Sequence, residues 1–254
     1  MNVVFQHLRN TKNIGDFACS PFDYFDWGDA MVKDMREASS PYDACVFGGG
    51  KIFGGLAEAA GVNTTGAPLH IAWGVGTRQT FPISPKYRRA RQLCDLVGSR
   101  DWGDQRYDFA PCASCMSTLF DAPSDPEHDV VFYWHGGKTQ KQNIHIPDTM
   151  PSMANNVGSL EEAIRFIASG KTVVSNSYHG VYWSLLLGRK TICVPFSNKF
   201  SAYRLPPAYA TPHTLRSKLD SGIAQPQMLE LCRTATLAFK DKAVSLLAKR
   251  EIFL

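Results

Sequence analysis

The sequence predicts an α/β protein of two halves, each a parallel sheet wrapped by helices. Three observations carry that expectation. Short apolar runs recur at residues 3–5, 42–47, 69–75, 130–134, 172–174 and 191–194. Runs of this length between turn signals read as buried strands. Several end in glycine-bearing turns followed by helical spacing, as at Gly15, Gly48-Gly49-Gly50, Gly74 with Gly76, and Gly180. Strands alternating with helices in this way make parallel sheets. The third observation is a proline- and acid-rich stretch at residues 121–129, DAPSDPEHD, which has no apolar pattern. Such a stretch reads as a linker, so the expected halves are 1–124 and 125–254, both Rossmann-like.

In the first half, the opening strand runs into a polar loop, with a helix start expected at Asp16 or at Ser20-Pro21. The second strand delivers three consecutive glycines, which let a ligand approach the backbone and leave N–H groups able to bind an anion. A third strand ends at Trp73-Gly74-Val75-Gly76, a helix is expected over 85–94, and a short extended piece delivers Ser99-Arg100-Asp101. Parallel strands need right-handed crossovers. Gly15, Gly48–Gly50, Gly74, Gly76 and Arg100 are therefore expected at one sheet edge, facing a common crevice.

In the second half, a strand over 130–134 leads to His135-Gly136-Gly137-Lys138. Ser159 with Glu162 three residues on forms a capping box for a helix over 161–168, which Gly170 should stop. Next come a strand over 172–174, a polar turn over 175–180, an apolar helix over 181–187 and a strand over 191–194. Gly188 stands where a helix ends in a left-handed residue, and Arg189 and Lys190 suit the negative end of the dipole. The loop after Pro195 carries Lys199 and Arg204, and the tail over 227–248 has helical apolar spacing that should pack on a sheet.

Composition narrows the classes. The 254 residues are 44% apolar and 11% aromatic, with 27 basic and 23 acidic side chains giving a net charge of +4. No run of like charge calls for nucleic acid. No apolar stretch is long enough to span a bilayer, and the start lacks the pattern of a signal peptide, so a cytoplasmic protein is expected. The seven cysteines are odd in number and scattered, which fits reduced thiols. Cys112-Ala-Ser-Cys115 is a lone CxxC, half of a zinc site with no second half in the sequence. Packing or substrate contact is expected there, and no metal.

The stretch around His179 is where chemistry is expected. Ligands bind outside the carboxyl ends of the strands in open α/β sheets, and a helix N-terminus favours an anion. His179 at such a turn is a candidate catalytic group; as an alternative it caps or packs the helix.

Five motifs, in order, resemble the polysaccharide pyruvyl transferase family. They are Asn13-Ile14-Gly15-Asp16, Gly48-Gly49-Gly50, Trp73-Gly74-Val75-Gly76, Ser99-Arg100-Asp101 and Ser175-x-Ser177-Tyr178-His179-Gly180, where x is any residue. The resemblance spans residues 13–199. It implies a GT-B-like fold, two Rossmann-like halves facing a cleft. It also implies transfer of the enolpyruvyl unit of phosphoenolpyruvate to two hydroxyls of a sugar, giving a pyruvate ketal, with no cofactor beyond that donor.

On this resemblance His179 and Arg100 are the catalytic candidates. Asn13, Gly15, Asp16, Gly49, Gly50, Gly74, Gly76, Asp101, Ser175, Ser177, Tyr178, Lys199 and Arg204 are candidates for holding substrate. Trp73, Trp102 and Tyr178 are aromatic candidates for a sugar face, with core packing as the alternative. The implied partners are phosphoenolpyruvate and a glycan or lipid-linked oligosaccharide. No nucleic acid is implied, and membrane association is at most peripheral, at the inner face of the cytoplasmic membrane. One departure stands out: family members often carry an arginine two residues before the histidine, and here that residue is Ser177. Arg189, Lys199 and Arg204 are the cations that could substitute. Two other classes remain open, a nucleotide-sugar glycosyltransferase and a non-catalytic sugar- or anion-binding relative.

Overall fold

The computed structural model describes residues 2–37, 41–56, 68–77 and 84–252. Two parallel sheets, each in its own compact unit, organise the chain. The first unit takes Met1–Thr11, Asp16–Met116 and Cys232–Leu254; the second takes Lys12–Gly15 and Ser117–Leu231. Among the described residues the α-helices are α1 (Ile14–Phe17), α2 (Pro85–Leu93), α3 (Leu160–Ala168), α4 (Tyr178–Leu186) and α5 (Met228–Lys249).

The first sheet contains β1 (Val3–His7), β2 (Met31–Asp34), β3 (Ala44–Gly48), β4 (Leu69–Val75), β5 (Leu96–Ser99) and β6 (Asp108–Phe109), in the order β2-β1-β3-β4-β5-β6. Successive strand residues alternate between faces, and here both faces are apolar and covered. Phe5, Val46 and Ile71, aligned across β1, β3 and β4, share one core with Trp27, Trp73 and Phe239, Ala243 and Leu247 of α5. Val4, Cys45 and Phe47 point the other way, into a core with Ala72, Val97 and Ala90 of α2. The tail helix therefore belongs to the first sheet. Phe239 meets Trp73 edge-on, with centroids 4.9 Å apart. A side chain at Gly98 would put its Cβ 2.7 Å from the Phe239 ring, so glycine at the start of the β5 exit is what lets α5 approach.

The second sheet contains β7 (His128–Trp134), β8 (Ser152–Ala154), β9 (Gly170–Ser175), β10 (Lys190–Cys193) and β11 (Ala208–Tyr209), in the order β11-β10-β9-β7-β8. On one face Tyr133 packs between Phe166 of α3 and Trp183 of α4. A Cβ at Gly180 would lie 2.4 Å from both Ser175 Oγ and the Tyr133 ring, so this glycine sets how closely α4 rests on the strands. On the other face Phe132, Val174, Ile192 and Val194 are covered by loop residues and short 3-10 turns, with no α-helix there among the described residues.

Counted within its own unit, each sheet has the doubly wound order 2-1-3-4-5, with β6 appended to the first. In such sheets the strand order reverses between the first and third strands, and ligands bind beside that switch point at the carboxyl edge. The two switch points lie between β1 and β3 and between β7 and β9.

Several expectations shift. α4 begins at Tyr178, so Tyr178, His179 and Gly180 belong to its first turn and the polar connection shrinks to Asn176 and Ser177. All nine α4 residues are buried; packing against the sheet favours helix where His and Gly alone read as turn. Gly170 is the first residue of β9, and Ser169 takes the helix cap. The Ser159–Glu162 capping box is present in both directions, and Gly188 adopts φ +65°. Strands β2, β6, β8 and β11, of two to four residues each, carry too little pattern to be read from sequence. No helix among the described residues is long and apolar enough to cross a membrane.

Truncation of Phe239 to alanine should cost about 3–5 kcal/mol, the range for a buried phenylalanine, in urea unfolding followed by tryptophan fluorescence. A loss below about 1 kcal/mol would contradict the seating of α5 on the first sheet.

Candidate functional site

At the carboxyl edge of the first sheet the glycine turns fold onto one another. Gly49 (φ +35°) and Gly50 (φ +75°) adopt left-handed conformations, which glycine occupies without the Cβ clash of other residues. Gly49 N donates to Trp73 O at 2.7 Å, and Gly76 N to Gly50 O at 2.8 Å. A Cβ on Gly49 would meet Cys19 Sγ at 2.5 Å, and one on Gly74 would meet Pro111 O at 3.0 Å. These two glycines therefore serve close packing. Gly50 and Gly76 face functional candidates instead: their Cβ positions lie 3.5 Å from Asp16 Oδ1 and 3.4 Å from Arg100 Nε and Nη2.

Arg100 and Asp101 are buried immediately after β5. Their backbone is framed by a polar chain: Asp101 N donates to Ser99 Oγ at 3.1 Å, Ser99 Oγ and Thr77 Oγ1 are 2.6 Å apart, and Thr77 donates to Asp104 at 2.7 Å. Burial works against the Asp104 carboxylate, but Arg106 and Thr77 outweigh it and hold the group below its ordinary pKa. The thiols of Cys19 and Cys112 are pushed up by burial, so neither is poised as a thiolate. Cys115 lies against Thr236 of α5 at 3.3 Å; the CxxC pair is core material. Trp73 is fully buried among Phe25, Trp27 and Phe239, which removes it from the candidates for stacking on a sugar. Trp102 is half exposed and edge-on to Phe109.

The sequence reading missed His7. It ends β1 at the switch point, is 1% exposed, and its Nδ1 has no hydrogen-bond partner among the described residues. Burial, with Arg9, lowers its pKa to about 4.

The second sheet carries the denser cluster. Asn13 Oδ1 accepts from Gly15 N at 3.2 Å and from Asn155 Nδ2 at 3.1 Å, and Ile14 N donates to Asn155 O at 2.9 Å. This bracing lays Gly15 against the imidazole of His179: a Cβ there would fall 2.0 Å from Nδ1. Gly15, expected beside the glycine turns of the first half, belongs with the second unit and meets the His179 ring directly. His179 is buried between Tyr178 and Trp183. Ser175 Oγ donates to Tyr133 O at 2.6 Å and accepts from Ser177 N at 3.0 Å, and the Ser177 side chain does not cap α4. Tyr178 is stacked on Tyr203, centroids 5.0 Å apart, which leaves one of its faces covered.

Beside the switch point stands Asn176, another residue the sequence reading passed over. It is fully buried. Its Oδ1 accepts from His135 N at 2.8 Å, and its Nδ2 donates to Thr139 at 2.9 Å and Gln142 at 2.8 Å. His135, also missed, meets Phe196 edge-on. Lys199 Nζ lies 4.6 Å from the Phe196 centroid and 6.0 Å from that of Tyr178; Lys138 Nζ lies 5.9 Å from Phe196. Burial, then Lys199 and Lys138, lowers the pKa of His135. Arg204 lies half-buried in the loop beyond, and Arg189 stands at the far end of α4. Among the described residues no cluster of His, Cys, Asp or Glu could hold a metal ion.

A signal for His135 and Asn176 existed, since each follows a strand in a polar turn. Choosing them required the strand order, which only the fold supplies.

No protein-family model matches this chain, and a search of curated proteins finds no match.

Gly15→Ala should leave the far-ultraviolet spectrum intact while displacing the His179 ring, read as a change in its imidazole NMR resonances with those of His128 unmoved. Unchanged His179 resonances would contradict the packing of Gly15. The ring of His135 should titrate below the ordinary imidazole value of about 6.5. Lys199→Gln removes one of its two neighbouring charges and should move the midpoint upward in an NMR titration; a downward move or none would refute that electrostatic origin.

Proposed function

We propose that the chain is an enzyme that binds phosphoenolpyruvate and transfers its enolpyruvyl unit to a sugar diol as a pyruvate ketal. The observation that carries the reading is the cluster at the second switch point. Lys138 and Lys199 share the ring of Phe196 beside His135, at the edge where α4 begins with His179 in its first turn. Two ammonium groups set against one ring make the edge electropositive, which favours a polyanion there, and the positive end of α4 adds to the attraction. Phosphoenolpyruvate carries a carboxylate and a phosphate. Lys199 and Lys138 then supply the charge that the resemblance expects of an arginine at position 177.

In this reading a proton goes to the methylene carbon of the enol, making the neighbouring carbon electrophilic. One sugar hydroxyl adds there and loses its proton, phosphate departs, and the second hydroxyl closes the ketal and releases its own proton. His179 handles protons, as an imidazole near neutral pH is able to do. Arg100, buried at the edge of the first sheet, is the anion-binding arginine the resemblance implies. A GT-B-like arrangement of the two units, a glycan or lipid-linked acceptor and a cytoplasmic setting are parts of the same proposal.

Calorimetric titration of phosphoenolpyruvate at low salt tests it, paired with phosphate release in the presence of sugar diols. Wild type should bind; Lys199→Ala and Arg100→Ala should each weaken binding about tenfold or more. His179→Ala should keep most binding and lose turnover by about a hundredfold or more. A folded wild type that binds nucleotide sugars and not phosphoenolpyruvate would overturn the proposal in favour of a glycosyltransferase.

A further inference from the structure

The helix-free face of the second sheet holds a cavity of about 510 Å3, floored by Phe132 and walled by residues of the 143–150 and 212–219 segments. Doubly wound sheets carry helices on both faces; here loops take their place, and they leave a space within the range of about 300–1,000 Å3 usual for small-molecule sites. Ile144, Ile146, Met150, Leu215 and Leu219 pack against the sheet core and also line the cavity. The wall is braced from within the chain. Thr211 and Thr214 exchange backbone-to-hydroxyl hydrogen bonds at 3.0 and 3.2 Å, and Lys218 Nζ donates to Tyr209 O at 3.1 Å. The lining includes the guanidinium of Arg216 and the imidazole of His145, and no carboxylate. Arg216 is exposed and takes part in no ion pair among the described residues.

We infer that this cavity binds a single-chain amphiphilic anion, its alkyl chain against Phe132 and the aliphatic wall and its carboxylate or phosphate on Arg216 and His145. Apolar burial supplies the affinity for the chain, and the guanidinium selects an anionic head. The site is distinct from the cluster at the carboxyl edge, and the inference does not rest on the pyruvyl transfer reading.

The test is calorimetric titration of decyl phosphate and of decanoate, each below its micellar concentration, with decanol and inorganic phosphate as controls. Both anions should bind saturably to one site. Arg216→Glu should weaken both about tenfold or more while leaving decanol within about twofold. Leu219→Trp or Ile146→Phe, whichever keeps the wild-type circular dichroism, should abolish binding by filling the cavity. Absence of saturable binding to the wild type would overturn the inference, as would binding that both classes of variant leave unchanged. So would association with phosphatidylglycerol vesicles alone, without binding of the soluble amphiphiles.

Discussion

One fully buried amide holds the second switch point together. Asn176 must satisfy its polar atoms without water, because an unpartnered amide inside a protein costs about 1–3 kcal/mol. It does so by taking the His135 N–H and giving its own N–H groups to Thr139 and Gln142. That ties the turn after β7 to the turn after β9, the two strands between which the sheet order reverses. The tie sets His135 on one side and the start of α4 with His179 on the other, and Gln142 extends it by donating to Pro195 O at 3.3 Å, just ahead of Phe196. Asn155 makes a second such brace, accepting from Gly136 N while donating to Asn13, so that the Lys12–Gly15 segment is held against His179.

Glycine does two different jobs in this chain. At Gly98 and Gly180 it permits an element to approach, since any side chain would strike Phe239 or Tyr133. At Gly15 the absent side chain leaves room for an imidazole. Both jobs look alike in a sequence, where each glycine merely follows or precedes an apolar run. The same ambiguity applies to Gly49 and Gly74, which read as places for a ligand to approach and where an added side chain would strike Cys19 or Pro111.

What was legible followed locality. The Ser159–Glu162 capping box involves residues three apart, and the left-handed Gly188 closes its own helix, so both could be read directly. The central strands β3, β4, β7 and β9 are buried on both faces and advertise themselves as apolar runs. The helical character of α5 was legible too, but its partner was not, because the pairing of Phe239 with Trp73 spans most of the chain. The start of α4 was misplaced for a related reason: Tyr178, His179 and Gly180 have turn-like identities, and helix wins there through burial against β7 and β9. His7, His135 and Asn176 escaped notice because their significance depends on strand order, a property no single segment carries.

The central claim is that the cationic edge of the second sheet, with His179 at the start of α4, receives a phosphorylated carboxylate. The most direct measurement is an amide NMR titration of the isotopically labelled protein with phosphoenolpyruvate. The account predicts saturable shifts concentrated at residues 135–139, 176–181 and 196–201, and weaker ones with inorganic phosphate. Shifts confined to other parts of the chain, or none at millimolar donor, would contradict it.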